Sequence, residues 1–86
     1  MILKIINEKG LHARASGRFV TVCESFDASV TVSKDGETAL GDSILGLLML
    51  SASKGSEIEV IAKGPQADEV LEALKSLVDR RFGEDK

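Results

Sequence analysis

The amino-acid sequence predicts an α+β sandwich with the element order β-α-β-β-α-β-α. Two stretches, residues 28–34 and 57–63, alternate apolar and polar side chains as half-buried strands do. Two others, near residues 16–23 and 70–82, repeat apolar side chains at helical spacing. Short strands with segregated helices are typical of a sheet that packs one face under helices and leaves the other in water.

In the first half of the chain, the apolar and mostly β-branched run at residues 1–7 predicts a strand, which Glu8-Lys9-Gly10 ends. A helix follows and should end near residues 25–26. One of its faces carries Ser16, Phe19, Val20 and Cys23. Residues 28–34 form the next strand, and Asp35-Gly36, a favoured type I′ turn, connects it to a short return strand at 37–40.

In the second half, Gly41-Asp42-Ser43 precedes a short apolar helix at residues 44–50, with Ser or Asp as its N-cap. A turn region at 51–55 leads to the strand at 57–63, where Ile61 is the one break in the alternation. We expect the last helix to begin at Gly64-Pro65, with Pro65 at its first position, and to stop at Gly83. Its apolar stripe comprises Val70, Leu71, Leu74, Leu77, Val78 and Phe82. Residues 84–86 are expected to form a frayed end.

Length and composition restrict the class of protein. A chain of 86 residues predicts one domain, residues 1–86. No apolar run reaches the roughly 18 residues that a membrane helix needs, and the N-terminus lacks a signal-peptide pattern, so we expect a cytoplasmic protein without membrane insertion. The single cysteine, Cys23, excludes an internal disulfide and a thiolate metal cage, and its place on the helix stripe predicts a small buried side chain.

The charge distribution argues against nucleic-acid binding. The net charge is −3, and the chain has no Trp or Tyr with which to stack bases. Residues 1–34 hold five basic and three acidic side chains, whereas residues 35–86 hold six basic and eleven acidic ones. A small acidic domain with a positive pole can hold one compact anion without binding polyanions in general.

His12, the only histidine, lies in the turn between a strand and a helix. Backbone N–H groups have no helical partner there, and together with the helix dipole they favour a negative group. Imidazole is nucleophilic, and the guanidinium of Arg14, two residues on, can clasp a phosphoryl group in a bidentate way. These residues predict a phosphoryl-acceptor site. Alternatively, Arg14 lies on a solvated helix face and binds no phosphoryl group. For Arg18 we favour that second interpretation. No Ser-His-Asp catalytic triad is recognisable, and a metal site would need more His or Cys residues.

Ser43 allows two interpretations. As a helix N-cap, its hydroxyl would accept a backbone hydrogen bond. A phosphate added to that hydroxyl would meet free N–H groups and the positive end of a helix dipole, so the helix could accommodate it.

The helix after Ser43 is too apolar to be buried on all sides. Six of its residues are apolar over about two turns, with Gly46 among them allowing a close approach. An exposed partner surface and a helix buried under a loop are equally compatible with this pattern, and Met49 could belong to either.

Two segments resemble a known family. The segment Gly10-Leu11-His12-Ala13-Arg14, followed by Phe19-Val20, resembles the active-site signature of HPr, the histidine phosphocarrier of the bacterial phosphotransferase system. The segment 42–48, Asp-Ser-Ile-Leu-Gly-Leu-Leu, is similar to that family's regulatory-serine segment. The spacing of the two segments and the Leu-rich last helix also match, so the resemblance covers essentially the whole chain.

The resemblance implies a fold and a function. The fold would be an open-faced β-sandwich, with a four-stranded antiparallel sheet and three helices on one face. The protein would accept a phosphoryl group from phosphorylated Enzyme I on Nδ1 of His12, beside Arg14, and pass it to an Enzyme IIA domain. It would act as a carrier rather than an enzyme, without a cofactor or a metal. Where HPr kinase/phosphorylase occurs, Ser43 would be its target. The implied docking surface comprises Gly17, Ile44, Leu45 and Leu48.

One departure from the family pattern is visible. Many members have Pro after the arginine, where this chain has Ala15. Proline would pre-set the first helical turn, but Ala is a good helix former, so we expect slightly less rigidity and unchanged chemistry. A regulatory binding module that docks through the Ser43 helix with His12 idle is the alternative function. The choice between a sugar-transport and a nitrogen-regulation branch stays open.

Overall fold

The computed structural model describes residues 1–86 and has a four-stranded antiparallel sheet with three α-helices. The elements are β1 (Ile2–Lys4), α1 (Ala13–Glu24), β2 (Ser29–Lys34), β3 (Glu37–Leu40), α2 (Ile44–Met49), β4 (Glu57–Lys63) and α3 (Ala67–Asp79), followed by a 3-10 turn (Arg81–Gly83). The strand order is β1-β4-β2-β3. The predicted α+β class, the element order and the open-faced sandwich are confirmed. No helix has both the length and the apolar character needed to cross a bilayer.

The register of the central strands separates a packed face from a wet one. Val32 on β2 lies opposite Val60 on β4, and both are fully buried. The neighbouring pair, Thr31 and Ile61, points the other way, and Ile61 is exposed. Successive side chains of a strand alternate between faces, so Ile61 belongs to the wet face although it is apolar.

The core forms where the packed face of the sheet meets the stripes of α1 and α3. Phe19 on α1 and Leu74 on α3 are fully buried. Cys23, on the same α1 stripe, is buried as predicted. Its burial and then its two neighbouring carboxylates, Asp42 and Glu24, raise the pKa of the thiol to about 12. Cys23 therefore stays protonated and serves as core.

The β2–β3 hairpin has the predicted turn. Asp35 and Gly36 both have positive φ, 51° and 84°. Positive φ at both central residues defines a type I′ turn, whose twist matches that of the two strands.

Two boundaries differ from the prediction. Strand β1 ends at Lys4 rather than at residue 7. Lys4 pairs with Glu57, the first residue of β4, and the next residue, Ile5, bonds Ser56 and Gly55, which precede that strand. Helix α3 begins at Ala67 rather than at Pro65. The backbone N–H of Gln66 donates to the carbonyl of Asp27, and the side-chain Oε1 of Gln66 accepts the N–H of Asp27. These bonds attach the chain to the α1–β2 loop before the helix starts.

The C-terminal end also differs from the prediction. Helix α3 stops at Asp79, and Phe82 reaches the core from a left-handed turn in which Arg81 and Phe82 have φ of 56° and 55°. The turn reverses the chain, which allows the Phe82 ring to be fully buried beyond the helix. The last three residues are not frayed, because the N–H of Glu8 donates to the carbonyl of Lys86 at 3.1 Å.

Candidate functional site

The loop between β1 and α1 is locked to the loop that precedes β4. The N–H of Leu11 donates to the carbonyl of Ala52 at 2.8 Å, and Leu11 itself is buried. Gly10 has a φ of 64°, and a Cβ on it would lie 2.5 Å from the Ala52 oxygen. Only glycine fits this approach without strain. The loop therefore delivers the next residue, His12, to a fixed place at the start of α1.

His12 is the N-cap residue of α1, with an extended backbone, and its carbonyl accepts the N–H of Ser16 at 2.8 Å. Its side chain does not cap the helix. The N–H groups of Ala13, Arg14 and Ala15 have no hydrogen-bond partner in the protein. Free donors at the positive end of a helix dipole form a place for an anion beside His12.

The imidazole of His12 is bound through one nitrogen. Its Nε2 forms a hydrogen bond with Oε2 of Glu84, and about a quarter of the His12 side chain, 25%, is exposed. An ionised carboxylate only accepts hydrogen bonds, so Nε2 carries the proton. Nδ1 makes no hydrogen bond to the protein and, in the neutral ring, keeps its lone pair.

Glu84 is itself held by Asn7. The Nδ2 of Asn7 donates to Oε1 of Glu84 at 2.9 Å and to the carbonyl of Gly10 at 2.9 Å. Burial by itself raises the pKa of Glu84, but the hydrogen bonds from Asn7 and His12, with the charges of His12 and Lys9, outweigh it and hold the pKa of this carboxyl below its ordinary value. The carboxylate is therefore ionised at neutral pH.

Sequence reasoning missed both Asn7 and Glu84. Asn7 follows an apolar strand and precedes a turn, where a polar residue is unremarkable. Glu84 lies 72 residues after His12, in a segment expected to fray. Only its acidic character gave a signal, and acidic residues are common in this chain.

The two arginines differ in their contacts. Arg14 is exposed in the first turn of α1 and takes part in no ion pair. Arg18, for which we favoured a solvated face, donates through Nη1 to the carbonyl of Phe82. Arg18 thus anchors the C-terminal segment, while Arg14 is free. Both line an open pocket of about 400 Å³ that Glu84 borders.

Ser43 is the N-cap of α2, as one of its two interpretations held. Its Oγ accepts the N–H of Gly46 at 3.0 Å, and its side chain is half-buried. Gly46 packs inward rather than toward a partner, because a Cβ on it would lie 3.2 Å from the Cβ of Ala39.

Helix α2 exposes an apolar face, so it is not buried under a loop. Its exposed residues, here called the α2 surface, are Ile44, Leu45, Leu48 and Met49, with exposed fractions of 44%, 71%, 37% and 69%. Leu47 and Leu50 are buried. A Cβ on Gly17 would lie 3.9 Å from Cδ1 of Ile44, so the α2 surface extends onto α1, the helix that begins after His12.

An open-faced sandwich with one histidine at a helix start is the architecture of a phosphocarrier protein of the phosphotransferase system. A sequence model of the family described as "PTS HPr component phosphorylation site" matches residues 2–80. This chain belongs to the HPr family.

Relatives with two different names support this assignment. The chain is 43% identical over 82 residues to "Phosphocarrier protein HPr" of Neisseria meningitidis serogroup A, covering 95% of this chain and 92% of the relative. It is 40% identical over 84 residues to "Phosphocarrier protein NPr" of Escherichia coli strain K12, covering 96% and 93%.

Solved structures of HPr proteins also support the assignment to this family. The protein described as "HPr-C-His from Thermoanaerobacter tengcongensis" superposes with a TM-score of 0.95 at 32% identity, over 100% of this chain and 97% of that chain. The phosphocarrier protein HPr of Bacillus anthracis superposes with a TM-score of 0.86 at 35% identity, over 91% and 93%.

Proposed function

We propose that this protein accepts a phosphoryl group from phosphorylated Enzyme I on Nδ1 of His12 and passes it to an Enzyme IIA domain. The hydrogen bond between Glu84 and Nε2 carries the proposal, because it leaves Nδ1 as the nucleophilic nitrogen. That nitrogen stands at a helix start with free N–H donors.

The carrier chemistry needs only modest stabilisation of the phosphoryl group. The N–H groups at the start of α1 and the guanidinium of Arg14 suit the oxygens of one phosphoryl group. The site is open, so two partners can reach it in turn. The protein, a single domain of residues 1–86 in the cytoplasm, is then a substrate of phosphotransferase enzymes rather than an enzyme, and uses no cofactor or metal.

The partners dock on the α2 surface and its extension on α1. Gly17, Ile44, Leu45 and Leu48 form the contact in this proposal. An exposed apolar patch that reaches the helix beginning after the acceptor residue suits two successive protein partners that must reach the same nitrogen.

Ser43 is proposed as a regulatory phosphorylation site for HPr kinase/phosphorylase. Its hydroxyl caps α2 at the edge of the α2 surface. A phosphate there would carry about −1.5 to −2 charges, which a helix start tolerates but an apolar interface does not.

The direct test is incubation of the protein with Enzyme I and phosphoenolpyruvate, followed by intact mass measurement. We expect one acid-labile phosphoryl group on wild type and none on His12→Ala, with an unchanged circular dichroism spectrum. The control Ser43→Ala should still be labelled. Labelling that persists in His12→Ala would refute the proposal.

The α2 surface also suits the alternative, a regulatory module that binds partners stoichiometrically with His12 idle. The test separates the two functions, because such a module would bind its partner without becoming labelled. Enzyme IIA domains of the sugar and nitrogen branches, offered in parallel to the labelled carrier, would identify the acceptor.

A further inference from the structure

We propose that Glu84, held in place by Asn7, is a positioning residue that binds Nε2 of His12 and thereby presents Nδ1 to the phosphoryl donor. The inference rests on the proposed function for its kinetic consequences, but its structural part stands on the geometry alone.

The first argument is the way in which Asn7 is used. Asn7 is fully buried, and both protons of its amide group are engaged, by Gly10 and by Glu84. Its other polar atom, Oδ1, has no hydrogen-bond partner. A buried acceptor without a partner costs free energy, so packing alone does not account for an amide at this place. Its two donated bonds tie the loop that carries His12 to the side chain that orients the ring.

The second argument is the strained backbone that brings Glu84 to His12. Arg81 and Phe82 are both in the left-handed region of backbone conformation, which residues other than glycine rarely adopt. Such conformations persist where the surroundings impose them. Here the buried Phe82 ring and the bond from Arg18 to the Phe82 carbonyl hold the turn. Its consequence is that Glu84, two residues later, lies against the imidazole.

The third argument is chemical. In a neutral imidazole, the hydrogen bond made by one nitrogen selects the tautomer and so decides which nitrogen keeps a lone pair. A carboxylate at Nε2 selects the Nε2–H form. The same contact fixes the ring orientation, so that the Nδ1 lone pair points in one direction rather than sampling several.

The transfer step balances with the Nε2 proton staying in place. The Nδ1 lone pair forms a bond to phosphorus, and the bond from phosphorus to the donor breaks with its electron pair left on the donor. The ring of His12 becomes cationic, and the carboxylate of Glu84 neutralises it. In onward transfer a lone pair of the acceptor domain forms the new bond to phosphorus, while the bond between Nδ1 and phosphorus breaks and its electron pair returns to Nδ1. The charge of Glu84 therefore assists the acceptance of the phosphoryl group, and in onward transfer Glu84 keeps the ring oriented.

The spectroscopic test uses the unphosphorylated full chain and the ¹⁵N chemical shifts of the His12 ring. In wild type we expect the neutral ring to be in the Nε2–H form. In Glu84→Ala both tautomers should be populated, and in Glu84→Gln, which keeps an acceptor oxygen but no charge, the Nε2–H form should be largely restored. The matched control Asp85→Asn removes the adjacent carboxylate, which bonds nothing in the protein, and should leave the shifts unchanged. Identical ¹⁵N shifts in wild type and Glu84→Ala would overturn the inference.

The kinetic test measures phosphoryl transfer from Enzyme I and onward to an acceptor domain. We expect Glu84→Ala to lower the maximal rate of transfer from Enzyme I roughly tenfold, with partial recovery in Glu84→Gln. The apparent KM for the carrier should be unchanged, because the α2 surface is intact. Asp85→Asn should behave as wild type. A defect confined to KM would overturn the positioning role.

Asn7→Asp tests whether Asn7 holds Glu84 in place. The substitution replaces the amide that donates to Glu84 with a second carboxylate, so it should reproduce the changes in ¹⁵N shifts and rate expected for Glu84→Ala. Because Asn7 is buried, thermal melting must show that the variant folds. If it does not fold, the Glu84 variants decide alone.

The outcomes distinguish this inference from the proposed function. If Enzyme I does not label the wild type, the proposed function is refuted and the tautomer result still stands. If Enzyme I labels the wild type, and Glu84→Ala has the same transfer rate and the same ¹⁵N shifts as wild type, only this inference is refuted.

Discussion

At the scale of single residues, the two nitrogens of the His12 imidazole differ in their hydrogen bonding. Nε2 of His12 is bound to Glu84, whereas Nδ1 makes no bond within the protein. Arg14, two residues further along the chain, is exposed and takes part in no ion pair. A free guanidinium beside free N–H donors suits a ligand that arrives from outside.

Arg14→Ala should slow phosphoryl transfer about tenfold or more, which corresponds to ~1.4 kcal/mol of transition-state stabilisation. The thermal midpoint should barely move, because the Arg14 side chain bonds nothing in the folded protein. Arg14→Lys, which keeps the charge but not the bidentate fork, should recover part of the rate. Transfer kinetics with Enzyme I measure both, and an unchanged rate in Arg14→Ala would assign the residue to the solvated surface.

At the scale of elements, α2 combines a structural cap with an exposed apolar face. It is six residues long, and Ser43 caps it. Helices this short are held by caps and tertiary packing rather than by propensity. The buried Leu47 supplies that packing, while Leu45 is 71% exposed.

Ser43→Asp should lower the rate of His12 phosphorylation and leave thermal stability close to that of wild type. An aspartate still caps the helix, but its charge weakens docking by about 1–3 kcal/mol. Ser43→Ala is the control: it should lose ~1 kcal/mol of stability and still accept phosphate on His12. Rates measured over a range of carrier concentrations test this. Equal rates for Ser43→Asp and wild type would leave Ser43 as a cap only.

Leu45→Ala and Leu47→Ala form a matched pair on the same helix. Leu45→Ala should change the free energy of unfolding by less than about 0.5 kcal/mol and weaken binding to Enzyme I by about 1 kcal/mol or more. Leu47→Ala should cost about 2–5 kcal/mol of stability, because it leaves a cavity in the core. Urea unfolding and calorimetric titration with Enzyme I measure the two effects. Undiminished binding by Leu45→Ala would contradict the docking surface.

At the scale of the whole molecule, the loop after β1 and the C-terminal segment meet at the candidate site. Glu84 bonds Asn7 and His12, and the carbonyl of Lys86 accepts the N–H of Glu8. Bonds between the ends of the chain form only when the whole sandwich is assembled. The site and the global fold are therefore coupled.

This coupling predicts a pH dependence of stability. The folded protein holds the pKa of Glu84 below its ordinary value of 4.5. The unfolded state therefore takes up the proton first, so the stabilisation is present above that value and is lost as the pH falls through the folded pKa. Free energies of unfolding from neutral pH down to about 3 should show wild type and Glu84→Gln converging at the acid end. A gap between wild type and Glu84→Gln that stays constant over this pH range would contradict the prediction.

Much of the fold could be predicted because its signals are local. The alternation in β2 and β4, the stripe of α1 and the Asp35-Gly36 turn each depend on residues a few positions apart. The N-cap at Ser43 is equally local. Boundaries were less predictable: β1 ends where its partner β4 begins, and Gln66 is held by Asp27 across the fold.

The sequence by itself determined the order of elements, the core stripes, the place of His12 at a helix start and the cap at Ser43. Periodicity, turn chemistry and capping are short-range, so they can be read without a fold. Only the tertiary structure decided which face of α2 is exposed, that Phe82 and Arg18 hold a left-handed turn, and that Glu84 meets His12. Those contacts join residues far apart in the chain, and the free energy that maintains them comes from burial and hydrogen bonds that exist only after the sheet and helices have packed.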